Sequence, residues 1–221
     1  WTLPFLVGAA IAFIRAEQRP RLYLLCAALL SLSFLFHYAG AVVGAGLALA
    51  MLLHRRSLFA TPWPWLALAV GAPLPAAWLL IRALHNRSSE NVHVIVDLVR
   101  PSMANLWYYA VVAVALAGLA ALPVYIAGFV RLVPRKGRPS SPWAQGVLFP
   151  LVTLALFFTL AYSWADKRFL YYLFPFAVAV AAEGIALVVV FAGGGRLKAA
   201  LATLFLAVAL LWNRIPYPAT S

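Results

Sequence analysis

Two apolar runs, Gly146 to Trp164 and Phe169 to Ala192, meet at three adjacent charges, Asp166, Lys167 and Arg168. Each run is long enough to cross roughly 30 Å of hydrocarbon. Charge concentrated between such runs, with aromatics beside it, marks a membrane surface. The pair therefore reads as a hairpin of two spans whose turn, within Ser163 to Pro175, is short, basic and aromatic. So short a turn keeps Asp166, Lys167 and Arg168 over whatever cavity the helices enclose.

Composition excludes an ordinary soluble domain. Hydrophobic residues make up 66% of the chain and charged residues 10%, against about a quarter charged in soluble domains. The formal charge of +12 would in another setting point to nucleic acid. Here the cations fall in clusters between apolar spans, as topology determinants do, so nucleic acid is not the expected partner. The single Cys26 rules out an intrachain disulfide. Arginine outnumbers lysine and alanine is abundant, the bias of a GC-rich, bacterial genome, and the expected location is a bacterial inner membrane. The chain opens on Trp1-Thr2-Leu3-Pro4, without Met or a basic n-region and directly inside an apolar segment, which reads as a chain lacking an upstream part.

The expected fold is all-α, a polytopic transmembrane bundle in a single domain, 1–221. Eight membrane segments are predicted, at about 1–14, 22–36, 40–53, 63–81, 106–130, 145–164, 169–192 and 199–212. The run from Leu22 to Leu53 is interrupted only by His37-Tyr38-Ala39-Gly40. Read as one helix it would put Arg55 and Arg56 across the membrane from Arg15, Arg19 and Arg21. Folded back at His37, it puts all five on one side, as the positive-inside rule prefers. Each leg is then about 15 residues, or roughly 23 Å, too short to cross fully. The turn is expected below the outer surface, where irregular backbone needs protein or a wet cavity around it. Pro73 and Pro75 predict a kink in segment 63–81. The inner face is cationic, whereas Glu90, Asp97 and Asp166 give the outer face mixed charge.

Several groups could carry chemistry. Lys167 and Arg168 offer fixed positive charge at the lipid boundary, and Arg binds phosphate in a bidentate manner; the alternative is that they only snorkel at a helix end. His37-Tyr38, at membrane depth, is either a functional site or a hydrogen bond across helices. Gly40 and Gly44 form a GxxxG pair suited to packing. In the external loop 82–104, a helix capped by Ser89 and stopped by Pro101 would align Glu90, His93, Asp97 and Arg100 on one stripe; the rival reading is a strand. Glu90 and His93 could ligate a divalent metal, although no third ligand is evident. No other cofactor is indicated. Glu183 lies at bilayer depth and is expected to hydrogen-bond within the bundle.

The half-helix ending at His37-Tyr38 and returning to Arg55-Arg56 resembles the hairpin of GT-C membrane glycosyltransferases, of the protein-mannosyltransferase and aminoarabinose-transferase type. His37 stands where that pair commonly begins with Lys. The stretch Lys167-Arg168-Phe169-Leu170-Tyr171-Tyr172-Leu173-Phe174-Pro175 is similar to the family's Arg-Tyr-Leu-Leu-Pro-like element, which enters a helix from the outer surface. The resemblance implies transfer of a sugar from a polyprenyl-phosphate carrier to an acceptor on the extracytoplasmic face. A carboxylate takes the acceptor's proton and cations stabilise the departing phosphate. Lys167, Arg168, His37, Tyr38, Arg100 and Tyr171 would then bind the carrier phosphate. The family's base, an acid in the first outer loop, has no match here; Asp97 and Asp166 are the nearest substitutes. Membrane lipids are the other expected partners. Competing readings are a lipid or solute transporter and a non-catalytic membrane subunit of a larger complex.

Overall fold

A computed structural model describes residues 2–85, 107–108, 122–133, 140–161, 170–191 and 200. The candidates Glu90, His93, Asp97, Arg100, Asp166, Lys167 and Arg168 lie outside those residues, as do the predicted interfacial helix and, apart from residue 200, the segment 199–212.

The described residues are helical throughout, with no strand among them. The helices are α1 (Thr2–Arg15), α2 (Leu22–Phe36), α3 (Ala39–His54), α4 (Pro62–Gly71), α5 (Pro73–His85), α6 (Leu122–Leu132), α7 (Pro142–Leu156) and α8 (Leu170–Phe191). A single 3₁₀ turn, Arg56–Ala60, follows α3, and a π turn, Phe157–Ala161, extends α7.

Two stretches among them are long and apolar enough to cross a membrane, Pro142–Thr159 and Tyr171–Val190. The kink expected within segment 63–81 takes the form of a break between two helices. Helix α4 stops at Gly71 and α5 begins at Pro73, with Ala72 between them. The physical reason is the missing donors. Ala72 N–H still reaches Leu68 O and Ala76 N–H reaches Ala72 O, but Pro73 and Pro75 have no N–H to offer the preceding turn. Legs α2 and α3, 15 and 16 residues long, are likewise shorter than a span.

The interior mixes small residues, among them Ala9, Ala12, Ala39 and Ala50, with large ones such as Leu6, Phe13, Leu154 and Phe158. Many large apolar side chains also face outward; Leu80 is 61% and Val190 69% exposed. Small residues at interfaces let helix backbones approach closely, which is how helices associate where no water drives them together. The closest crossing is α6 on α8. A Cβ placed on Gly128 would run into Val180 O, and one on Gly184 into Val124 O. At the α2–α3 hairpin, a Cβ on Gly40 would meet Leu30 O at 2.7 Å, whereas Gly44 has only ordinary contact with Leu30 Cδ1 at 3.5 Å. Helix α3 lies on α7, with Gly46 against Phe149 O.

This packing defines two ends. The last turn of α1, the start of α2, the end of α3 and the start of α7 meet at one end, which carries Arg15, Arg19, Arg21, Arg55 and Arg56. The α2–α3 reversal, the π turn and the start of α8 meet at the other.

Candidate functional site

The reversal between α2 and α3 is made by His37 and Tyr38. Phe36 is the last helical residue, and His37 takes an extended conformation with φ −166° and ψ 138° while its N–H still reaches Ser33 O at 3.0 Å. Its ring then caps the next helix, since Nδ1 accepts the Ala39 N–H at 3.1 Å. An accepting Nδ1 assigns the ring proton to Nε2. The His37 and Tyr38 carbonyls accept from Gly40 and Ala41 N–H. Glycine at position 40 allows the returning helix to lie directly on α2. Histidine therefore works here as a polar cap for a backbone N–H that the first turn of α3 would otherwise leave unpaired.

Around this turn the fold gathers five rings from three elements. The His37 and Tyr38 centroids are 3.9 Å apart, and His37 lies 4.5 Å from Tyr172 at the start of α8. Tyr38 reaches Phe157 at 5.5 Å and Phe158 at 6.3 Å, both in the π turn, and Phe158 stacks on Tyr172 at 6.1 Å. Such distances suit attractive aromatic pairing. Single π turns inside α-helices occur often at functional sites, because the inserted residue re-aims side chains.

Tyr171, one of the carrier-binding candidates, is 63% exposed, whereas its neighbour Tyr172 faces His37. Successive helical residues project about 100° apart, so only one of two adjacent tyrosines can meet the turn. Phe157 and Phe158 were not singled out, since two phenylalanines inside an apolar run carry no mark of their own.

A second polar centre lies at the basic end. Arg55, only 8% exposed, is held between four helices. Its Nε donates to Gln145 Oε1 at 2.6 Å and its Nη1 to Tyr23 Oη at 2.8 Å, with Phe13 O further off at 3.5 Å. The guanidinium also sits 4.6 Å over the Phe13 ring, a cation–π contact. Read from sequence as a topology determinant, Arg55 is instead an internal tie. Its neighbour Arg56 is exposed and turns back to Leu52 O at 2.8 Å. Gln145 is fixed in turn by Nε2 donating to Ser140 O at 2.8 Å.

The third polar feature is the ion pair of Arg131 on α6 with Glu183 on α8, at 3.0 Å. Glu183 thus has a charged partner rather than only the expected hydrogen bond, and the pair lies one turn from the Gly128–Gly184 crossing. No group of three or more potential metal ligands occurs among the described residues.

Comparison of the chain with family models, with curated proteins and with solved structures gives no match.

Proposed function

We propose that the chain is all or part of an integral membrane glycosyltransferase of the GT-C type, which moves a sugar from a polyprenyl-phosphate carrier to an acceptor on the extracytoplasmic face. The full arrangement is an eight-segment bundle in a bacterial inner membrane. In this arrangement the basic end lies in the cytoplasm and the His37-Tyr38 reversal near the outer rim. Lys167 and Arg168, immediately upstream of α8, meet the carrier phosphate there. Asp97 or Asp166 is the nearest available base.

One observation carries this reading. The two sequence elements on which the family resemblance rests, the hairpin tip and the stretch Lys167 to Pro175, are far apart in the chain, yet His37 and Tyr172 lie ring to ring. In this reading Arg168, two residues before α8 in sequence, adds a cation to the aromatic rim that the π turn and the reversal form. Cations favour the departing phosphate, and flat aromatic faces suit an isoprenoid chain or a sugar ring. The outward apolar surface and the two full-length apolar helices support the membrane setting.

The test is Arg168→Ala in proteoliposomes supplied with a panel of radiolabelled polyprenyl-phosphate sugars. Transfer is expected to fall by about a hundredfold or more, as when one charge-stabilising donor is removed from a transition state, while the melting profile stays unchanged. Equal turnover in the two proteins would refute the assignment.

A further inference from the structure

The basic end of the bundle takes no part in the proposed transfer, yet it carries a surface of its own. Arg15, Arg19, Arg21 and Arg56 are all exposed there. Among the described residues no ion pair joins any of the four to a carboxylate, not even to Glu17 beside them. Arg56 donates through Nε to Leu52 O at 2.8 Å, which leaves both its Nη groups for another acceptor. Two loops distant in sequence supply these cations, and buried Arg55 fixes one beside the other. Its Nη1 donates to Tyr23 Oη and lies 3.5 Å from Phe13 O. Tyr23 is two residues past Arg21, and Phe13 two before Arg15. The chain that carries Arg56 is thus tied to both ends of the α1–α2 loop.

Three of these arginines stand next to large apolar side chains that face out. Ile11 precedes Arg15 by one turn of α1, and Leu25 follows Arg21 by one turn of α2; both are exposed. Residues four apart lie on one face of a helix. Arg56 reaches back to Leu52, which is exposed as well, with Leu53 and Leu49 on the same helix. Beyond the 3₁₀ turn, exposed Trp65 donates its indole N–H to Phe59 O at 3.1 Å, and such amphipathic rings favour the level of lipid headgroups. Charge and apolar surface are therefore paired three times over. A free phosphate ion would use only the cations. A phospholipid uses both, its phosphodiester on the guanidinium forks and its acyl chains along the outward leucines.

We infer that the α1–α2 loop and the start of the 3₁₀ turn form an interaction surface for anionic phospholipid, with Arg15, Arg19, Arg21 and Arg56 on the headgroups. Its net positive charge favours phosphatidylglycerol over a zwitterionic lipid. Arg55 is the positioning residue that holds the two loops together. The inference rests on the membrane setting and not on sugar transfer, and its test reads lipid retention without any donor sugar.

Native mass spectrometry tests it on the chain purified in detergent and mixed with phosphatidylglycerol and phosphatidylcholine of matched acyl chains. Phosphatidylglycerol adducts are expected to exceed phosphatidylcholine adducts by about tenfold or more, and an excess of inorganic phosphate should not displace them. Arg21→Gln and Arg56→Gln, both at exposed positions and both expected to fold, should each lower phosphatidylglycerol retention by about fivefold, the usual share of one arginine at an anionic surface. Equal retention of the two lipids would overturn the proposal. So would unchanged phosphatidylglycerol retention in both variants, or its loss to inorganic phosphate, which would mark a site for the free ion.

Discussion

His37 and Tyr172 stand 4.5 Å apart, ring to ring, although one caps a helical hairpin near the start of the chain and the other opens its longest described helix. The contact joins the α2–α3 reversal to the first turn of α8.

The first prediction follows from the asymmetry of the two adjacent tyrosines. Tyr172→Ala removes rings from contact with both His37 and Phe158 and should cost about 1–3 kcal/mol, the aromatic pairing plus the lost burial. Tyr171→Ala, on the outer face, should be nearly neutral. Thermal unfolding in detergent distinguishes the two, and equal losses would show that the turn does not depend on this contact.

Helix crossing gives the second. Gly128→Ala sets a methyl against the Val180 carbonyl, where backbone rather than a flexible side chain must give way. A loss of about 1–3 kcal/mol is expected. Gly44→Ala meets only Leu30 Cδ1 at ordinary contact distance and should change stability by less than about 0.5 kcal/mol. A tolerated alanine at position 128 would mean that α6 and α8 are not pressed together.

The Arg131–Glu183 pair supplies the third. Glu183→Gln and Arg131→Gln should each destabilise the α6–α8 contact, and the double variant should be less impaired than the sum of the two. A coupling energy of about 1 kcal/mol is expected from the cycle. Strict additivity would show that the 3.0 Å contact contributes nothing.

Topology provides the fourth. In a Cys26→Ala background, cysteines at Gln18 and at Ser57, both exposed at the basic end, should react with a membrane-impermeant thiol reagent from the same side. Cysteines at Ser88 and Ser57 should react from opposite sides. Labelling of Gln18 and Ser57 from different sides would break the hairpin.

Much of this arrangement was legible in the chain because charge and apolarity are local properties. The clusters at Arg15 to Arg21 and at Arg55-Arg56 required a reversal between them, and His37-Tyr38 was the one polar interruption at which it could occur; the helices end and restart there. Pro73 and Pro75 announced the break between α4 and α5, since a missing N–H is visible without any structure. Side-chain pairing is not local. Whether Arg55 would snorkel to the surface or turn inward depends on Tyr23, Phe13 and Gln145 arriving from three other helices. The choice of Tyr172 over Tyr171 depends on the rotation of α8, which is set by packing. The glycines at 128 and 184 signal nothing until two helices meet over them. Sequence by itself determined the helical class, the reversal, the kink and the sorting of cations, because charge, apolarity and missing backbone donors act residue by residue. Tertiary structure alone decided which rings share the turn, which arginine is buried and which carboxylate pairs with Arg131, because those follow from contacts between segments distant in the chain.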